Sequence, residues 1–248
     1  MSAYAEWTRV FDPRPGARVR LVCFPHAGGS AAAFGQWHRL LPDNVEVVAV
    51  QYPGRADRFD EPLEPDLDAL ADRLAAALGP AVDHSTVFFG HSLGATVAFE
   101  VASRLRPRFP APLARLVVSA RRGPSVPERG APEELDGRTV RARVRELGGR
   151  GAELLADPEV LDLALPVLRN DFAMARAHRT RPGPPLACPI TAVAADGDPA
   201  VDAADVARWR AHTLGGFELL RVPGGHFYLE DGAADLLARL GLGARARR

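Results

Sequence analysis

Lysine is missing from this chain: all 31 basic residues are arginine. With many Ala, Gly and Pro, that reflects a GC-rich coding sequence and carries no mechanistic weight. Net charge is missing too, because 31 acidic residues balance the arginines. A neutral chain has no global pull toward nucleic acid or an anionic membrane. Cysteine occurs only as Cys23, at the end of an apolar strand-like run, and Cys188, just before Pro189. Both read as buried thiols, not as a disulfide framework. No Cys-x-x-Cys or His-x-x-x-His occurs and the seven histidines are scattered, so no metal site is expected. Neither Gly-x-Gly-x-x-Gly nor a Walker pattern is present, so no nucleotide cofactor is expected. No apolar run approaches the length of a membrane span. No basic stretch followed by an apolar core opens the chain, so a signal peptide is not expected and a cytoplasmic location is. Arg245–Arg248 reads as a frayed, solvated tail. No repeat or low-complexity linker interrupts the sequence.

What is present alternates. Arg18–Phe24, Val45–Val50, Ser85–Phe89, Leu113–Ser119, Ile190–Ala195 and Phe217–Val222 read as apolar strands. Helices are expected at Phe34–Leu41, at Asp66–Leu78 with leucines at 67, 70, 74 and 78, and at Ala95–Leu105. Two more are expected around Val201–Leu214 and at Ala233–Leu240. Strand–helix alternation implies an α/β fold with a mostly parallel sheet covered on both faces. One block breaks the rhythm. Residues 121–187 carry no strand signal and read as three helices, Glu133–Leu147, Pro158–Leu165 and Val167–His178. The organisation expected is therefore a core of residues 1–120 and 188–248 with a helical insertion, 121–187, above the carboxyl edge of the sheet. Pro124 and Pro127 at one end and Pro182, Pro184 and Pro185 at the other would make the insertion a hinged lid.

The chemistry centres on Gly90-His91-Ser92-Leu93-Gly94. It fits Gly-x-Ser-x-Gly between a strand and a helix, the context of a nucleophile elbow. The glycines allow strand and helix to approach, and Ser92 is the candidate nucleophile. An activated serine needs a base and the base an orienting acid. His226, in Gly224-Gly225-His226-Phe227-Tyr228 after a strand, is the candidate base. The acid lies in Ala195-Asp196-Gly197-Asp198-Pro199. Asp198 is preferred because Pro199 fixes a tight turn directly after it; Asp196 is the alternative. For the oxyanion, the candidate donors are the backbone N–H of Leu93, which follows the nucleophile, and that of Ala27 in Pro25-His26-Ala27-Gly28-Gly29. His26 and His91 flank the glycine turns and are expected to shape the site. His38, His84, His178 and His212 are expected to serve surface or packing roles.

Four segments together resemble the type II thioesterases, the free-standing editing enzymes of polyketide and nonribosomal peptide synthesis. They are Phe24-Pro25-His26-Ala27-Gly28-Gly29-Ser30, Tyr52-Pro53-Gly54-Arg55 with Arg58 following, Phe89–Ala95, and Gly224–Phe227. Leu147-Gly148-Gly149 and Leu165–Phe172 also resemble that family's lid region. The resemblance implies an α/β-hydrolase fold and a Ser92–Asp198–His226 triad. It also implies an acyl substrate on the phosphopantetheine arm of an acyl or peptidyl carrier protein, with no cofactor in the enzyme itself. Leu93 stands where the family commonly has Met, and the acid loop still offers two aspartates. Arg55 and Arg58 read as exposed loop arginines with a solvated role, the alternative being contact with the acidic face or phosphate of a carrier protein. Competing readings are a product-releasing or medium-chain acyl thioesterase, a generic serine carboxylesterase, and a non-catalytic binding protein on a hydrolase fold.

Overall fold

The computed structural model describes residues 2–107, 110–126 and 135–243. Pro127, the expected helix start at Glu133 and the Arg245–Arg248 tail lie outside them. Among the described residues seven strands form one sheet in the order β1-β3-β2-β4-β5-β6-β7. They are β1 (Thr8–Arg9), β2 (Val19–Phe24), β3 (Val45–Val50), β4 (Thr86–His91), β5 (Arg115–Ser119), β6 (Ile190–Ala195) and β7 (Phe217–Val222). Only β1 is antiparallel, at the edge against β3; every other pair is parallel. The central strand β4 is buried at every position, which is why it reads as an unbroken apolar run and not as an alternation.

The helices are α1 (Ala3–Trp7), α2 (Leu67–Leu78), α3 (Leu93–Arg104), α4 (Gly137–Leu147), α5 (Arg150–Leu154), α6 (Pro158–Ala177), α7 (Ala203–Ala207) and α8 (Leu229–Arg239). The leucines of α2 lie on one buried face, and Asp66 caps its start by accepting from the N–H of Asp68 and Ala69. Two apolar layers sandwich the sheet. One is built on Phe24, Phe88, Leu70 and Leu74, the other on Leu21, Phe89, Trp37 and Leu236. Among the described residues no helix is long and apolar enough to cross a membrane.

Several expected elements differ. Phe34–Leu41 is two 3-10 turns, Ala31–Phe34 and Trp37–Leu40, because Gly35 closes the first. The helix expected near Val201–Leu214 is the short α7 followed by a 3-10 turn, Arg208–His212. The largest difference is α6, one helix of 20 residues running through Pro166. An interior proline removes a backbone hydrogen bond and costs about 3 kcal/mol. Here Leu161 on one side and Val167, Leu168, Asp171 and Met174 on the other bury both halves and hold them in line. Helix α1, strand β1 and helix α5 are too short to leave a periodic signal.

Candidate active site

The sheet order brings the chemistry to one edge. Ser92 follows β4, the loop of residues 195–198 follows β6, the loop of residues 224–228 follows β7, and the glycine turn of residues 26–29 follows β2. All four are carboxyl ends of parallel strands, where ligands bind in open α/β sheets.

Ser92 sits at φ 54°, ψ −119°, a conformation that costs a non-glycine residue about 1–3 kcal/mol. The strain is held by packing on both sides. The Ser92 N–H donates to the Ser119 carbonyl at 2.8 Å. A Cβ on Gly90 would overlap the Gly94 carbonyl, and one on Gly94 would overlap the Phe24 carbonyl. Only glycine permits these approaches. Gly94→Ala is therefore expected to lower stability by about 3 kcal/mol or more, read as a drop in the urea midpoint. A near-native midpoint would show that the elbow is looser than its geometry.

The two aspartates are placed differently. The Ser92 hydroxyl lies 3.0 Å from His226 Nε2, and His226 Nδ1 lies 2.8 Å from Asp198 Oδ2. His226 and Asp198 are buried, with side chains 3% and 1% exposed. The other Asp198 oxygen accepts from the Ala200 N–H at 2.8 Å, so the turn at Pro199 aims the carboxylate. Asp196 points away and pairs with Arg221 at the surface. Ala27 and Leu93 stand at the two turns expected to supply oxyanion donors. Leu93 is the first residue of α3, whose N–H a helix cannot pair internally. Among the described residues neither N–H donates to another protein group.

A second tier of residues fixes these groups. The Ser119 hydroxyl lies 2.9 Å from His91 Nδ1 and 2.8 Å from the Tyr228 hydroxyl, all buried. The loop carrying His226 is thus tied to the strand ends beside Ser92. Phe227 packs edge-on against His26, with ring centroids 5.0 Å apart, and Gly149 presses its backbone against the Phe227 ring. Burial, with a smaller contribution from His226, lowers His26 to about 4. Burial likewise pushes His91 well below the usual imidazole range, with His226 and His26 adding to the shift. Both imidazoles are neutral at pH 7.

That asymmetry has a sign. An unfolded chain protonates His26 near pH 6.5 and the folded chain only near pH 4. Stability from this group is complete above about pH 6.5 and is lost as the pH falls toward 4. The loss is of the order of 2 kcal/mol, less than for a fully enclosed ring because part of His26 meets solvent. Urea unfolding at pH 7 and at pH 4.5 should show a smaller acid loss in His26→Gln than in the parent chain. Equal losses would exclude His26 as a source.

Two arginines read as exposed are buried. Arg58 is 3% exposed, lies over the Trp7 ring at 4.4 Å and pairs with Glu61 and Glu6. Arg55 is 6% exposed and forms a two-pronged ion pair with Asp171 of α6, at 2.6 and 2.9 Å. The Pro-Gly-Arg loop turns inward because Gly54, at φ +77°, packs its backbone on Leu63. An arginine in a glycine-rich loop gives no sign of its direction, so neither burial was legible. His178, placed among surface or packing histidines, is buried against Glu100 at 2.9 Å. Cys23 and Cys188 are buried free thiols. Among the described residues no three His, Cys, Asp or Glu side chains cluster as a metal would need.

A central parallel strand ending in a strained serine, with histidine and aspartate from later strand ends aligned behind it, defines the α/β-hydrolase fold. The family model of the thioesterase domain matches residues 19–241. The chain belongs to the thioesterase family. The thioesterase PikA5 of Streptomyces venezuelae is 45% identical over 226 residues, covering 91% of this chain and 80% of that protein. The type II thioesterase BorB from the borrelidin biosynthetic cluster superposes with a TM-score of 0.84 at 39% identity, covering 96% of this chain and 98% of that one. RedJ, a thioesterase of the prodiginine pathway in Streptomyces coelicolor, gives 0.84 at 40% identity, covering 92% and 91%. The resemblance to type II thioesterases drawn from the motifs therefore holds, and the chain is a thioester hydrolase by family.

Proposed function

We propose that this chain is a serine thioesterase that hydrolyses acyl or aminoacyl groups from the phosphopantetheine arm of acyl or peptidyl carrier proteins, clearing stalled polyketide or nonribosomal peptide synthases in the cytoplasm. The observation that carries the proposal is the unbroken relay from the strained Ser92 hydroxyl through His226 to the buried Asp198. The relatives' names supply the substrate class.

In this reading the Ser92 oxygen attacks the thioester carbonyl while His226 Nε2 takes its proton. Asp198 keeps the remaining proton on Nδ1 and stabilises the imidazolium. The N–H groups of Leu93 and Ala27 hold the negative oxygen of the tetrahedral intermediate. Collapse breaks the C–S bond, and His226 returns the proton to the departing pantetheine sulfur. Water, deprotonated by His226, then attacks the acyl-serine, and the released acid restores Ser92. No cofactor of the enzyme enters; the phosphopantetheine belongs to the partner.

Access is the remaining source of selectivity, and helices α4–α6 govern it. Helix α6 is pinned by the buried Arg55–Asp171 pair, so the whole insertion does not suit a single moving lid. Helix α4 packs Val140 and Val144 on Leu168 of α6, whereas α5 buries no residue and is the segment suited to move. Its start is held by surface contacts, the Arg150 N–H on Glu230 and the exposed Arg150–Asp231 pair, which contribute little each.

Mass spectrometry of a panel of acyl-loaded carrier proteins tests the substrate class. Release of acyl groups from carrier thioesters faster than from simple oxygen esters of the same acids is expected. Preference for the oxygen esters would favour a carboxylesterase instead.

A further inference from the structure

The Pro-Gly-Arg loop and helix α6, far apart in sequence, meet behind the glycine turn that follows β2. Residues 26–29 form a tight turn closed by the Gly29 N–H donating to the His26 carbonyl at 2.9 Å. Gly28 at its third position has φ +76°, as a type II turn requires. In such a turn the central peptide, between Ala27 and Gly28, has one of two opposite orientations. Here one is selected from outside: the Gly28 N–H donates to Asp171 Oδ2 at 2.8 Å. Asp171 is fully buried and is held by Arg55 Nη1 and Nη2 and by Asn170 Nδ2 at 3.2 Å. Arg55 also donates to the Gly29 carbonyl at 3.3 Å, so the ion pair grips the turn by a donor and an acceptor at once. Leu168, one turn before Asp171 on α6, fills the space that a Cβ on Gly28 would need.

We infer that Asp171, oriented by Arg55, is a positioning residue for the oxyanion site. By holding the Gly28 N–H while Arg55 holds the Gly29 carbonyl, it fixes the position of the turn whose first corner carries the Ala27 N–H. An N–H donor stabilises a transition state only when aimed in advance at the oxygen that becomes negative. A turn released at both the Gly28 N–H and the Gly29 carbonyl is free to shift and loses that aim. The fold already has an ample core, and a buried ion pair is a weak source of stability. Its contacts with the turn are what a purely packing role leaves unaccounted for. The same pair joins the helical cover to the catalytic floor, so seating of α6 and assembly of the oxyanion site are one event. This inference rests on the active-site reading above.

The test compares the parent with Asp171→Asn and with the double variant Arg55→Met/Asp171→Leu. The double variant removes both charges together, so neither remains buried and unpaired. Each is assayed with a small soluble acyl thioester and with a trifluoromethyl ketone, which forms a tetrahedral oxyanion on serine. The fraction folded is matched by unfolding curves. A fall in kcat of about 10²-fold is expected, with KM within about threefold and ketone affinity reduced in parallel with kcat. A purely structural role would lower the folded fraction and leave kcat per folded molecule and ketone affinity unchanged, which overturns the inference. Hydrogen exchange in the parent gives a reading that needs no variant. The Gly28 amide should be protected as strongly as the central strands, and rapid exchange there overturns the clamp. Fluorophosphonate labelling of Ser92 in the parent separates the two levels: its absence would sink the active-site reading itself, whereas labelling with unchanged variant kinetics sinks only the role of Asp171.

Discussion

Ser92→Ala is expected to reduce kcat by roughly 10⁶-fold, the scale on which removal of a serine nucleophile disables a relay that acts as a unit. Among the described residues the hydroxyl is the only group hydrogen-bonded to His226 Nε2 that can form an acyl-enzyme. Its loss should hardly disturb the fold. The side chain is small and partly exposed, it caps nothing at the start of α3, and the strained backbone is held by Gly90, Gly94 and the Ser119 carbonyl. Steady-state turnover and urea midpoint measured together check both halves. A variant with parental turnover, or an acyl group trapped on another residue, contradicts the assignment.

Asp198→Asn should cost up to about 10⁴-fold in kcat. An asparagine amide turned toward His226 donates a proton where Nδ1 must itself donate. The imidazole then carries its proton on Nε2, the atom that has to accept from Ser92. The contact with the Ala200 N–H survives, so the fold should hold. Asp196→Asn is the control. Its pair with Arg221 is exposed, with side chains 51% and 63% accessible, and such pairs contribute about 0–1 kcal/mol. Turnover within about threefold of the parent is expected for it. A reversed order of severity in steady-state kcat would mean that the acid loop is in another register.

Much of the fold was legible because β3, β6 and β7 are bounded by turn residues and lie in strong apolar patterns; their ends agree with the sequence reading. Helix α2 was legible through its leucine spacing and its Asp66 cap. The continuity of α6 was not, because Pro166 is a local stop signal and only tertiary burial on both sides overrides it. At the site, Ser92 and His226 were legible because each sits beside glycines at a strand's end. The choice of Asp198 over Asp196 depends on which carboxylate the turn aims inward, a matter of geometry that a two-residue spacing leaves open. Arg55 and Asp171 escaped for a related reason. They are 116 residues apart, and each on its own looks like an ordinary polar residue. Asp171 did carry one sign, a carboxylate on a helical face shared with Leu168 and Met174. Ser119 and Tyr228 gave none, since a hydroxyl at a strand's end is common.

The central claim is that an acyl group passes from a carrier thioester to Ser92 and then to water. Rapid-quench mass spectrometry of the enzyme, mixed with an acyl-loaded carrier protein and digested, reads that step directly. The account predicts a transient mass increase of one acyl group on the peptide containing Ser92, decaying as free acid appears, and none in Ser92→Ala. Free acid formed at the parental rate by Ser92→Ala, or an acyl group found on another peptide, would contradict it.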